Sequence, residues 1–361
     1  MKKPPIHIVK REDIGIGKAL LVRLLAILLG LIVCALLIFA LTGLNPIGVY
    51  ASLISGAVGT MRRTWMTIRD ALILLLIAVG LTPAFRMRFW NIGAEGQVLT
   101  GAVAAAAIMI YFNQLPPPVL LPLMLLASLI AGMAWGLIPA LCKVQFGTNE
   151  TLLTLMLNYI AMQIVNVCIV FWENPKGSNT VGIINSDTKA GWLPPLFGLN
   201  YGWNVVIALL ITAGMYFYLK YTKQGYEIAV VGESENTARY AGISVKRVVL
   251  RTMAVSGAIC GIAGFLIVSG ASQTISVSTG GGRGFTAIIV SFLAQFNAFA
   301  MIPVSVFLVF MQKGAIQIAS QFSLNDSISD VITGILLFFL IGCEFFIRYK
   351  ISFAGKSAKQ S

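Results

Sequence analysis

Apolar runs of membrane-spanning length recur along the chain, separated by short polar or proline- and glycine-rich connections. The first predicted helix covers 20–42. Its apolar run outlasts the core of a signal peptide and no small-residue cleavage site follows cleanly, so an uncleaved span is expected. Spans follow at 68–85, with Pro83 near the end, and at 98–112. Pro116, Pro117 and Pro118 make a tight connection into 119–141, and a fifth span at 151–172 leads into a mixed stretch containing Asn174, Ser178, Asn185 and Asp187. The remaining runs lie at 203–221, 251–270, 285–296, 299–311 and 331–347, the third and fourth of these flanking Asn297. The pattern predicts an all-α integral membrane protein of about ten transmembrane helices.

Composition agrees. Of 361 residues, 58% are hydrophobic and 11% charged, with a mean hydropathy of +0.87, which is too little polar surface to coat a soluble globule. Disorder, collagen and disulfide scaffolds are excluded on the same figures, and one membrane domain over 1–361 is expected. The net charge of +13 gains meaning from its placement: sixteen of the 26 basic residues sit in three segments. The head carries Lys2, Lys3, Lys10, Arg11, Lys18 and Arg23. The loop after the sixth span carries Lys220, Lys223, Arg239, Lys246, Arg247 and Arg251, and the tail Arg348, Lys350, Lys356 and Lys359. Ten spans put all three on one side, and the positive-inside rule makes that side the cytoplasm. A cytoplasmic head (1–19), loop (222–250) and tail (349–361) are therefore expected. Arg62 and Arg63 fall outside on this threading, which a short re-entrant or interfacial helix between Ile47 and Met61 would explain. The basic excess meets lipid headgroups. No aromatic-interleaved basic groove is present, so nucleic acid is not an expected partner.

Candidate chemistry lies in the few polar residues among the apolar runs. Phe89-Trp90-Asn91-Ile92-Gly93-Ala94-Glu95-Gly96-Gln97 is wedged between two spans. A carboxylate at membrane depth costs roughly 2.5–3.5 kcal/mol even on the mildest insertion scale. Pro83, Gly93 and Gly96 supply what a broken helix needs, so Pro83 to Gln97 reads as a helix break lining a polar pathway. A cytoplasmic turn with a solvated Glu95 is the plainer alternative. On the fifth span, Thr151, Thr154 and Asn158 share a stripe, with Asn166 further along; it serves either a channel or interhelical hydrogen bonds. Asn149 and Glu150 stand where a helix cap is expected. In the basic loop, Ser234 is a plausible N-cap, Glu235 falls in the first turn and Gly242 at the C′ stop of a short helix suited to docking on a partner. Gly280-Gly281-Gly282-Arg283-Gly284 lacks the lysine and preceding strand of a phosphate loop, and reads as a flexible entry to the short eighth span. Cys34, Cys142, Cys168, Cys260 and Cys343 form no C-x-x-C pair and read as small buried side chains; His7 is the one histidine. No catalytic set, metal or cofactor is expected.

Taken together, Asn91-Ile-Gly-Ala-Glu-Gly-Gln97, Gly147-Thr-Asn-Glu150 running into Thr154-Leu-Met-Leu-Asn-Tyr159, and Gly225 followed by Ala238-Arg-Tyr-Ala-Gly-Ile243 resemble the permease subunits of bacterial ABC importers of the branched-chain-amino-acid and ribose type. Within that group the chain looks most like the nucleoside and simple-sugar branch. The opening of the eighth span, Gly284-Phe-Thr-Ala-Ile, departs from the smaller, more aliphatic pattern of related sequences. The resemblance implies a multi-pass protein of the bacterial inner membrane with the type II importer fold. It also implies partners: cytoplasmic ABC ATPase subunits, a second copy or homologous permease, and an extracytoplasmic substrate-binding protein or lipoprotein. Phe89, Trp90, Asn91, Glu95, Gln97 and Asn158 would lie on or near the translocation path. Glu233, Ala238, Arg239, Ala241, Gly242 and Ile243 would couple to the ATPase. Branched-chain amino acid or ribose is the alternative cargo. The alternative class is a gradient-driven secondary transporter using Glu95, with Glu344 as a further acid.

Overall fold

The structure, a computed structural model, describes residues 6–10, 15–43, 45–196, 198–323 and 326–353. Lys2, Lys3, Arg11, Lys356 and Lys359 of the basic head and tail lie outside the described residues. The chain runs β1 (Ile6–Lys10), α1 (Ile16–Thr42), α2 (Pro46–Val58), α3 (Met61–Arg86), α4 (Ala94–Tyr111), α5 (Pro117–Phe146), α6 (Glu150–Trp172) and α7 (Gly202–Tyr221). It continues through α8 (Lys223–Glu233), α9 (Glu235–Tyr240), α10 (Val245–Ile267), α11 (Arg283–Leu293), α12 (Ala298–Gln321), α13 (Asp326–Arg348) and β2 (Tyr349–Phe353). Eight helices among the described residues are long and apolar enough to cross a membrane, and the apolar part of α13 adds a shorter run.

Two compact units divide the chain, one of 1–64 with 309–361 and one of 65–308. In the first, α1 packs on α13, and Arg23 reaches Glu344 with Nη2 to Oε1 at 2.6 Å. The strands β1 and β2 pair antiparallel, Ile6 opposite Phe353 and Lys10 opposite Tyr349, a small exception to the all-α expectation. The short helix expected between Ile47 and Met61 is α2, opened by Asn45, whose side chain accepts from the Ile47 N–H, with Pro46 in its first turn. Arg63 donates to the Ser55 carbonyl at 3.0 Å, so this basic residue satisfies a backbone acceptor near the C-terminal end of α2.

The second unit is built on α4, α5 and α10, which cross at very small separations. A Cβ on Gly257 would stand 2.3 Å from the Gly132 carbonyl, and one on Gly261 would stand 2.1 Å from that of Ser128. Ser128, Gly132 and Gly136 on α5 face Gly257 and Gly261 on α10. In a bilayer, where apolar burial drives little association between helices, such small-residue seams let backbones approach for van der Waals contact. A π-turn over Val268–Ser272 prolongs α10. The stretch after α6 folds over the ends of α4 and α10: Asn185 donates to the Met109 carbonyl at 2.8 Å, and the Leu193 N–H to Ser269 at 3.1 Å.

Candidate translocation and coupling sites

The break between α3 and α4 is narrower than Pro83 suggested. Helix α3 continues through Pro83 to Arg86, α4 opens at Ala94, and only 87–93 is irregular. Membrane helices tolerate proline because neighbouring groups take up the freed carbonyl. Glu95, Gly96 and Gln97 therefore belong to the first turn of α4.

The uncharged polar residues of this junction and Glu95 are buried and bonded, whereas Arg88 is exposed. Asn91, fully buried, accepts from the Gly93 N–H at 3.1 Å and from Gln97 Nε2 at 3.3 Å, and donates to Ser256 Oγ at 3.3 Å. Asn158 on α6 donates to the Ile92 carbonyl at 2.9 Å and accepts from the Gly96 N–H at 2.8 Å. Thr154, one turn earlier, accepts from the Ile92 N–H at 3.2 Å. The polar stripe on α6 thus divides. Thr154 and Asn158 clasp the junction, whereas Asn166 is exposed and bonds Gln163. Asn149 caps α6 as expected, its Oδ1 accepting from Thr151 and Leu152, and Glu150 pairs with Lys143 at 2.9 Å.

Glu95 is 2% exposed, and both its oxygens are taken by backbone: Oε1 accepts from the Gly282 N–H at 2.9 Å and Oε2 from the Gly284 N–H at 2.7 Å. These amides open α11, so the carboxylate caps that helix and interacts favourably with its dipole. The glycine run is accordingly no flexible entry. A Cβ on Gly280 would stand 2.1 Å from Glu95 Oε1, and one on Gly284 would stand 2.4 Å from the Glu95 backbone nitrogen. Only glycine permits that approach. Phe89 is buried, while Trp90 is 49% exposed and stacks on Phe292 with centroids 5.8 Å apart.

The loop after α7 is ordered by its own caps. Thr222 accepts from the Gly225 N–H at 3.1 Å, and Arg251 ties α8 to α10 through Glu227 at 2.8 Å. At the end of α8, a Cβ on Gly232 would stand 2.0 Å from the Arg86 carbonyl, so α8 rests directly on the end of α3. The short helix α9 has the expected Ser234 cap, Oγ accepting from the Thr237 N–H at 3.3 Å, and Gly242 stops it at φ +76°. Glu233, Arg239, Ala241 and Gly242 are exposed, Ile243 is half-buried and Ala238 is fully buried. Tyr240, the last residue of α9 and 93% exposed, was not among the expected coupling residues, because a lone tyrosine has no telling spacing.

A second polar group also escaped the sequence reading. Arg69 and Asp70 lie buried in α3 with Nη2 to Oδ1 at 2.9 Å, Arg69 stands over the Tyr201 ring at 4.8 Å, and Arg283 approaches the same Asp70 oxygen at 3.8 Å. All five cysteines carry free thiols, and among the described residues no group of three or more His, Cys, Asp or Glu is placed to hold a metal.

Stacked apolar helices, a short helix capped by a carboxylate and an ordered polar loop define a polytopic membrane protein. The chain belongs to the family described as "Branched-chain amino acid transport system / permease component", matched over residues 63–341. It is 30% identical to the guanosine ABC transporter permease protein NupP of Bacillus subtilis, over 91% of this chain and 95% of that one. It is 29% identical to the nucleoside ABC transporter permease protein NupB of Lactococcus lactis, over 90% and 91%. Identity to the glucose ABC transporter permease protein TsgB13 of Haloferax volcanii is 28%, over 78% and 76%. The protein is thus a multi-pass ABC importer permease of the cytoplasmic membrane, and permeases of this kind act with ATPase and substrate-binding subunits. Family membership sets aside the gradient-driven reading, and geometry agrees: Glu95 is occupied by amides and Glu344 by Arg23.

Proposed function

We propose that this permease passes nucleosides or related simple sugars inward across the cytoplasmic membrane. The carrying observation is the near full-length similarity to permeases named for guanosine and for nucleosides. In this reading a second permease, either a copy or a homologue, completes the path. An extracytoplasmic binding protein delivers the solute, and two ATPase subunits seat on the loop around α9.

The contacts described above form a line from that loop to the membrane interior. Helix α9 presents Arg239 and Tyr240 to the ATPase, while Ala238 anchors it to the permease. Through Gly232 against Arg86, movement of α8 presses on the end of α3 and so on the 87–93 junction. Asn91, Thr154 and Asn158 hold that junction, and Glu95 passes its position on to α11. The path runs beside this junction, with the exposed Trp90 ring turned to the solute. Phe89, Asn91, Glu95, Gln97 and Asn158 fix the wall behind it. Coupling of this kind needs contacts that differ between inward and outward states, not tight solute binding.

Uptake by a strain lacking this gene decides the cargo. Nucleoside uptake should vanish and return with the gene; loss of ribose or leucine uptake with nucleoside uptake intact sinks the proposal. For coupling, Arg239→Glu with Gly242→Glu should leave membrane insertion intact and abolish uptake. Unchanged uptake removes α9 from the mechanism.

A further inference from the structure

Depth in the membrane can be read from α6. It has 23 residues, about 34 Å at 1.5 Å per residue, enough to span a hydrocarbon core of about 30 Å. Asn158 stands eight residues from its start, about 12 Å along the axis. The Asn158 bond to Gly96, and the Glu95 bonds to Gly282 and Gly284, bring the start of α11 to that same level. Arg283 therefore leaves the backbone well inside the hydrocarbon region.

Its side chain is 25% exposed there. An exposed guanidinium at that depth faces water or protein, since facing lipid is strongly unfavourable. The segment before it, Gln273-Thr-Ile-Ser-Val-Ser-Thr279, joins α10 to α11 mostly without regular helix and is rich in hydroxyls. Irregular backbone at membrane depth occurs only inside protein or along an aqueous cavity. Ser278 is exposed and Ser276 half-buried. Arg283 bonds the Thr279 and Gly280 carbonyls through Nη1, at 3.2 and 3.4 Å, while the nearest carboxylate to Nη2 is Asp70 at 3.8 Å, beyond direct hydrogen-bond length. One arm of the fork is thus positioned by the protein's own backbone, and the other lies at ion-pair distance from Asp70.

We propose that Arg283, with the hydroxyls of Ser276 and Ser278, is a solute contact within the translocation path that reads the acceptor edge of an oxopurine nucleoside. The inference rests on the nucleoside reading above. With Nη1 held by carbonyls, the edge formed by Nε–H and one Nη2–H offers two parallel donors, which match the carbonyl and ring nitrogen of a 6-oxopurine and mismatch the exocyclic amine of adenine. The serines suit the ribosyl hydroxyls.

The test uses the complete transporter, with its ATPase and binding protein, in proteoliposomes. Uptake of guanosine, inosine and adenosine is compared for wild type, Arg283→Gln and Arg283→Lys. The expected result is a fall of about tenfold or more in oxopurine uptake relative to adenosine in Arg283→Gln, partly spared in Arg283→Lys, with ATP turnover retained. Equal losses for all three nucleosides indicate a purely structural role beside Asp70 and overturn the inference, as does an unchanged selectivity. Ser278→Cys supplies a second measurement that does not depend on those variants. It should react with a charged, water-soluble maleimide and be protected by guanosine; no reaction overturns an aqueous location. A wild-type complex that moves ribose or leucine but no nucleoside overturns the underlying reading and this inference with it.

Discussion

At the scale of single residues, the polar side chains among the apolar helices mostly hold backbone. Glu95 was conspicuous in the sequence as an acid at membrane depth, yet its partners lie 187 and 189 positions away, and no local pattern announces them. Removing the acceptor leaves two buried amides unsatisfied, each worth about 1–3 kcal/mol. Glu95→Ala should therefore lower the detergent melting temperature of the purified permease more than Glu95→Gln, which keeps one acceptor oxygen. Equal melting of both variants would mean that the amide contacts contribute little. Arg23 and Glu344 make the corresponding pair in the unit formed by the two chain ends, with Glu344 only 12% exposed. Losing Arg23 would leave a carboxylate without its cation in a poorly solvated place. Arg23→Ala is expected to reduce folded yield, and the exchange Arg23→Glu with Glu344→Arg to recover part of it; no recovery would indicate that packing, not charge, fixes the site.

At the scale of elements, the hydrophobic pattern located nearly every helix but misjudged how they end and meet. It opened the helix break at Pro83, whereas the helix runs to Arg86, because proline's missing donor is tolerated where neighbours serve the freed carbonyl. It saw α9 correctly, because capping is local: Ser234 and Gly242 lie within the segment they delimit. It did not register the seam of Ser128, Gly132, Gly257 and Gly261, since small residues spaced by four mean nothing until two such helices face each other. Gly261→Leu would put a branched side chain where a Cβ alone already stands 2.1 Å from the Ser128 carbonyl. Overpacking of about 1–3 kcal/mol is the usual scale, and a backbone clash exceeds it. The variant should fail to accumulate in the membrane, while Gly214→Leu, where a Cβ meets nothing within 4 Å, should accumulate normally.

At the scale of the whole molecule, the pairing of β1 with β2 brings residues near both chain ends together. The pairing predicts that β1 and β2 lie on one face of the membrane and that the number of crossings between them is even. Helix α11, with 11 residues, spans only about 16 Å and cannot cross alone. On that prediction, α11 together with the irregular stretch before it, 273–293, makes one crossing, and α13 makes the last. Reporters active only in the cytoplasm, fused before β1 and after β2, should both be active. Activity at one end alone would contradict the strand pairing, and silence at both would invert the orientation read from the basic residues.

The sequence by itself determined the solvent, the approximate helix count, the sidedness expected from charge and the family. Each of these depends on composition, on local periodicity or on a linear order of motifs. Tertiary structure alone decided what the exceptional residues touch. Glu95 became the cap of α11, the glycine run became the place where that cap fits, and Gly232 became a bearing against Arg86. These are contacts between segments distant in sequence. Nothing in a membrane helix's own residues encodes its neighbour, because lipid and another apolar helix present nearly the same surface until the backbones meet.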